Sequence, residues 1–210
     1  MFGTQNLATF VSVGILLNLT PGPDTMYILA RGAAQGVRAG VLSALGISTG
    51  GLIHTLAAAT GLSIILASSA TVFTIIKYVG AAYLIALGIG MLLRKVDPHS
   101  SAGKSSNGRD GWTVYRQGAL TNVLNPKVAV FFLAFLPQFV DPSSGHTVIP
   151  FVILGCIFVT TGTIWCVLVG ALAGKMSLVL RTKRSVQLAL NRISGAVFIA
   201  LGGKLALERS

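Results

Sequence analysis

The sequence predicts an all-α integral membrane protein: six transmembrane helices forming two inverted three-helix repeats, with helices one and four broken at proline motifs. Three observations predict it. The 210 residues are 53% hydrophobic and 10% charged, and the mean hydropathy of +0.78 lies in the membrane range. The apolar residues gather into six runs, at about residues 5–29, 40–66, 70–93, 115–139, 148–173 and 187–207, each close to the ~20 residues that cross ~30 Å of hydrocarbon. Finally, patterns in the first and third runs return in the fourth and sixth. Residues 1–210 therefore read as one transmembrane domain, with repeat one at about 1–95, a connection at about 94–115 and repeat two at about 115–210.

The first run has no basic region before it and no cleavage site of small residues after it, so it is expected to remain as a span. Its end, "LTPGPD", puts two prolines, a glycine and an aspartate where lipid would favour an unbroken helix. Proline lacks an N–H and clashes with the preceding turn, yet it suits the first position of a new helix. Thr20-Pro21 and Asn125-Pro126 both place a capping side chain before a proline. Each pair is expected to start a half-helix inside the membrane. The start of a half-helix offers unpaired N–H groups and the positive end of a dipole, which suit a carboxylate. Irregular backbone at that depth must be covered by protein or line a wet cavity. Both breaks therefore predict a cavity.

Asp24 and Lys127 fall in the first turns of these half-helices. A charge at the bilayer centre costs about 2.5 kcal/mol or more, so each has either a functional role or a structural one as a neutralising partner. Of the other acids, Asp97 and Asp110 lie in the connection, Glu208 at the C-terminus, and Asp141 at the outer end of run four as a gate or an interfacial residue. Asp24 is thus the candidate for carrying a coupled proton. Burial and a nearby cation act on such a carboxyl in opposite directions.

In run two, His54 either titrates near neutrality or hydrogen-bonds within the bundle. Gly32, Gly36, Gly40, Gly46 and Gly50 have the small-xxx-small spacing of close helix contacts, within one protomer or in a homodimer. Run three begins near Lys77, expected to snorkel to the interface. The connection at 94–115, rich in Ser and Gly, reads as a flexible loop. Run five holds Cys156 and Cys166, spaced as ordinary thiols and not as a disulfide or metal pair.

The repeat rests on two matches. Gly14, Leu16 and Asn18 correspond to Gly118, Leu120 and Asn122 in a G-x-L-x-N pattern, followed by Pro21 or Pro126. Ile85-Ala86-Leu87-Gly88, after Gly80-Ala81, corresponds to Ile199-Ala200-Leu201-Gly202, after Gly195-Ala196. With three spans per half, the second half inserts upside down, as in secondary transporters with paired broken helices. The alternative is two unrelated proline-kinked helices.

The net charge of +11 does not indicate nucleic acid, since no basic stretch is interleaved with aromatics. Basic residues instead follow runs one (Arg31, Arg38), three (Arg94, Lys95, Lys104, Arg109, Arg116) and five (Lys175, Arg181, Lys183, Arg184), which places those connections in the cytoplasm and both termini outside. Lys204 and Arg209 run against this bias. Three scattered histidines, two separated cysteines and no carboxylate cluster give an enzyme, a metal or a cofactor nothing to build on. A purely structural scaffold leaves the charged breaks without a reason.

The stretches "LTPGPDTMYILARGAAQGVRAGVLSALGISTG", "IHTLAAATGL", "KYVGAAYLIALGIGMLLRK", "GALTNVLNPKVAVFFLAFLPQF" and "LNRISGAVFIALGGKLAL" resemble, in succession, the signatures of the LysE/RhtB family of amino acid exporters. The resemblance covers nearly the whole chain except the loop after run three. It implies a bacterial inner-membrane protein that exports amino acids or close derivatives by proton antiport. It carries the first motif onto Pro21, Gly22 and Pro23 and the second onto Asn125, Pro126 and Lys127; His54 stands where other members also have histidine. Asp24 is where the match loosens, the family often having Asn or Gly there. The combined reading gives a substrate-binding set of Thr20, Pro21, Gly22, Pro23, Asp24, Asn122, Asn125, Pro126 and Lys127, with Asp24 and His54 for proton coupling. The scarcity of acids argues against a dibasic substrate and favours neutral, small or branched ones, homoserine-like compounds included.

Overall fold

The computed structural model describes residues 3–62, 70–93, 110–141, 144 and 148–175, with scattered positions from 192 to 207. Most of the connection at 94–115 and most of run six, with Lys104, Arg181, Lys183, Arg184, Lys204 and Glu208, lie outside the described residues, as does the side chain of Lys77. The described residues are helical, with no strand beyond one antiparallel bridge between Thr4 and Val140.

Helix α1 (Leu7–Leu19) ends where Pro21 withdraws a donor. Its last carbonyls are closed locally: the Thr20 N–H donates to Leu16 and Leu17 (3.1 and 3.2 Å), and the Thr20 hydroxyl donates to Leu16 O (2.8 Å). Thr20 therefore caps the end of the old helix and not the start of the new one, a correction to the sequence expectation. Residues that precede proline avoid helical backbone, and both Thr20 and Gly22 are extended, so α2 (Pro23–Gln35) begins on the second proline. It continues past residue 29, which puts Arg31 inside the helix.

Gly36, at φ +86°, sits in the left-handed region that glycine enters at little cost and joins α2 to α3 (Val37–Ala57), which ends in a π turn (Ala58–Leu62). Helix α4 (Ala70–Leu93) matches run three. Helix α5 (Gly111–Val123) starts earlier than run four, so 111–115 is helix and not loop. After Leu124 and Asn125 the chain bends by 47° into α6 (Pro126–Val130), which continues as a π turn (Phe131–Phe135) and a 3-10 turn (Leu136–Phe139). Helix α7 spans Ile149–Lys175. By length and apolarity, among the described residues α3 with its π turn and α7 can each cross a bilayer, and the bent α5–α6 pair adds a third when taken as one span.

Helix α3 packs against both α5 and α7, and glycine makes the approach possible. A Cβ on Gly118 would lie 2.7 Å from the Ser43 carbonyl, one on Gly170 2.6 Å from the Gly40 carbonyl, and one on Gly50 2.6 Å from the Asn122 side chain. Of the small-residue series, Gly32, Gly40, Gly46 and Gly50 make close contacts within the protomer, and Gly36 faces open space. Outward, Ile164, Leu168 and Leu172 of α7 and Leu45, Leu52 and Leu56 of α3 form exposed apolar stripes, a surface suited to lipid and not to water.

The segment before α1 runs beside the end of the α5–α6 element: Gln5 N–H donates to Phe139 O (2.9 Å) and Asp141 N–H to Gly3 O (2.8 Å). The two broken elements are therefore antiparallel neighbours. Between them and α7 sits an aromatic core in which Phe131 stacks on Phe158 (4.4 Å between centroids) and touches Phe10 and Phe135.

Gly118→Val would drive carbons into fixed backbone, so a loss of about 1–3 kcal/mol is expected in thermal unfolding in detergent. Gly61→Ala, with open space around it, is expected to stay within about 0.5 kcal/mol of the parent.

Candidate functional site

The two breaks meet, and each closes the other. Lys127, the second residue of α6, is buried and directs its Nζ across to α1, donating to Thr20 O (2.9 Å) and Leu17 O (3.2 Å). Those carbonyls belong to the last turn of a helix, where intrahelical donors run out and the dipole is negative. Asp24, the second residue of α2, is 7% exposed, and its Oδ2 accepts from Asn122 Nδ2 (2.8 Å) in the last turn of α5. In both cases a charge from the first turn of a new half-helix meets the final turn of the other element. Lys127 is thus held inside the protein and does not reach an interface.

The helix starts differ. At α6 the Asn125 side chain accepts from Lys127 N–H (3.0 Å), so that start is capped by the chain itself. At α2 the N-cap is Gly22, which has no side chain to cap it. A Cβ there would lie 3.3 Å from Lys127 Nζ, so glycine leaves room for the ammonium beside the break.

Three buried polar atoms around the breaks have no hydrogen-bond partner: Asp24 Oδ1, Asn122 Oδ1 and Asn125 Nδ2. Leaving such an atom unpaired costs about 1–3 kcal/mol; the Asn125 side chain lies near enough to act on the Asp24 carboxyl, and water in the adjoining space can take up the rest. Asp24, Asn122 and Lys127 line a cavity together with Asn18, Thr25 and Val128. The opposite walls come from α3, through Ile47, Ser48 and Gly51, and from α7, through Phe158, Val159, Gly162, Thr163 and Cys166. The space open to the centres of water-sized molecules is about 40 Å³, enough for a few waters at roughly 10–15 Å³ each.

Of the predicted site residues, Asp24, Asn122 and Lys127 line this cavity, while Thr20, Pro21, Gly22, Pro23, Asn125 and Pro126 build the backbone around it without lining it. His54 stands one residue behind: its Nε2 lies 3.2 Å from Asn122 O, and its ring stacks on Phe132. Cys166 lines the cavity and Cys156 is exposed, both as free thiols. The α3 and α7 walls were not anticipated. The cluster Thr160-Thr161-Gly162-Thr163 within an apolar 27-residue helix was the available signal, as was Asn18, the counterpart of Asn122 in the repeated pattern.

A family model described as LysE type translocator matches residues 15–209. The chain is 30% identical to the uncharacterised membrane protein YrhP of Bacillus subtilis over 97% of this chain and 100% of that one. It is 28% identical to a leucine efflux protein of Enterobacter over 98% and 97% of the two chains, and 30% identical to the uncharacterised membrane protein PA4757 of Pseudomonas aeruginosa over 97% and 96%. No solved structure matches. The chain belongs to the LysE type translocator family and is a multi-pass membrane translocator, not an enzyme.

Proposed function

We propose that the protein exports neutral amino acids, small or branched, from the cytoplasm across the bacterial inner membrane in exchange for protons. The observation that carries this reading is a buried carboxylate oxygen, Asp24 Oδ1, left unpaired in a cavity that also holds the Lys127 ammonium. A zwitterion matches that pair of charges. Its ammonium bonds Asp24 Oδ1. Its carboxylate takes the third proton of Lys127 Nζ, whose other two go to Thr20 and Leu17, and lies by the α2 start that no side chain caps. The naming of relatives as leucine efflux proteins supports an amino acid as cargo.

Exchange follows if Asp24 holds either a proton or the ammonium of the cargo, but not both. Cargo drives a conformational change only through different affinities for the two states, and the cavity, sized for a few waters, must open to admit an amino acid. His54 stands beside the same asparagine, its Nε2 3.2 Å from the Asn122 backbone carbonyl while the Asn122 side chain bonds Asp24, and is the second candidate for proton coupling. The antiparallel broken elements, with Asn18 and Asn122 at matching places, support two inverted three-helix repeats; basic connections after runs one, three and five support periplasmic termini.

In proteoliposomes loaded with mixed amino acids, an imposed pH gradient is expected to stimulate selective release by the wild type. Asp24→Asn should fold and lose gradient-driven release by about 30-fold or more, as for an unpaired buried charge worth about 2–5 kcal/mol. Full gradient-driven release by that variant, or none by folded wild type, contradicts the reading. Lys127→Met strips the α1 carbonyls of their donor, so its thermal stability is expected to fall by about 1–3 kcal/mol along with release, whereas Asp24→Asn leaves stability nearly unchanged.

A further inference from the structure

The cavity is divided by chemistry. Its charged groups, Asp24 and Lys127, stand on the side of the breaks, while the facing wall of α3 and α7 presents Ile47, Gly51, Phe158, Val159, Gly162 and Cys166. We propose that this α3–α7 wall receives an aliphatic side chain of the cargo and that Gly162 sets the largest side chain accepted. The inference rests on the reading of the cargo as an amino acid, with its ammonium at Asp24.

Two features of the wall argue for an aliphatic side chain. Its hydroxyls are engaged with the protein: Thr163 Oγ1 lies 2.7 Å from both Ser48 Oγ and the Val159 carbonyl, and Ser48 Oγ donates to Ala44 O (2.9 Å). The wall therefore holds out no unused hydroxyl proton to a polar side chain. Beyond that pair, the wall offers carbon and one thiol, which suit an uncharged aliphatic group.

Gly162 fixes the size because the residue opposite it is held. A Cβ at position 162 would lie 2.9 Å from Asn18 Oδ1 and 3.2 Å from Asn18 Cγ. Asn18 is tied to α7 by its Nδ2, which donates to Phe158 O (3.3 Å) and Thr161 Oγ1 (3.2 Å). Gly162 and Asn18 both line the cavity, so a methyl added at 162 and pressed against that anchored amide narrows or reshapes a space of about 40 Å³. Apolar pockets discriminate by about 10- to 200-fold per methylene, so one added carbon should show as a change in side-chain preference.

The test is exchange of alanine, valine and leucine in proteoliposomes by wild type, Gly162→Ala and Cys166→Ala. The preference ratio within each variant is independent of how much protein folds. Gly162→Ala is expected to lower the leucine-to-alanine ratio by about 10-fold or more, and Cys166→Ala, which enlarges the wall, to raise it. Equal losses for all three amino acids in Gly162→Ala, or unchanged ratios in both variants, overturn the size limit while leaving amino acid export intact. Wild type that moves none of the three but moves other amino acids overturns the aliphatic wall alone, and wild type that moves no amino acid overturns both.

Discussion

The ammonium of Lys127, set against the last carbonyls of α1, is the contact on which the rest of the site depends. A helix broken in hydrocarbon leaves carbonyls on one side of the break and N–H groups on the other, with no water to take them up. Here the chain supplies partners at nearly every position. Thr20 and Lys127 close α1, the backbone N–H groups of Leu124 and Asn125 close α5, and the Asn125 side chain caps α6. Among the side chains around the breaks, the buried atoms left unpaired are on Asp24, Asn122 and Asn125, and the start of α2 has no side-chain cap. Two of these residues, Asp24 and Asn122, line the cavity, and Asn125 stands beside it.

Glycine brings the second half of the structure to that volume. Backbone-to-backbone approach of Gly40 to Gly170, and of Gly118 to Ser43, holds α3 against both α5 and α7. The cavity lies in the seam between this close-packed set and the two bent elements. Bends at Thr20–Gly22 and Leu124–Asn125 are places where regular helix pairing is already interrupted, so half-helices can tilt there without breaking further bonds of the ladder.

The breaks and their charges were legible in the sequence because prolines and ionised side chains inside apolar runs have few explanations, and the helix within run three was legible because that run is clean. Which proline opens α2 was not. Thr20-Pro21 carries the same local signal as Asn125-Pro126, and the difference lies in Gly22-Pro23, which adds a second break after the first. The extension of α2 past residue 29 depends on a long-range partner: Arg31 donates to Gln117 Oε1 (2.6 Å) and lies over the ring of Tyr27. At the start of α5 the contact is local instead, Trp112 stacking on Tyr115 within the same helix. The α7 wall was hidden because periodicity tells which residues share a helix face but not which face meets the breaks.

A cavity shared by two mutually closed breaks makes one position especially informative. Thr25 lines the cavity one residue after Asp24 without engaging the Lys127 carbonyl bonds. Labelling of Thr25→Cys by a small water-soluble thiol reagent, in a background with Cys156 and Cys166 replaced, would report directly on access to that space. Labelling that is slowed by the amino acids the protein exports is the expected result. A cysteine that stays unreactive, or reacts at the same rate whether or not a transported amino acid is present, would contradict the placement of cargo between the breaks.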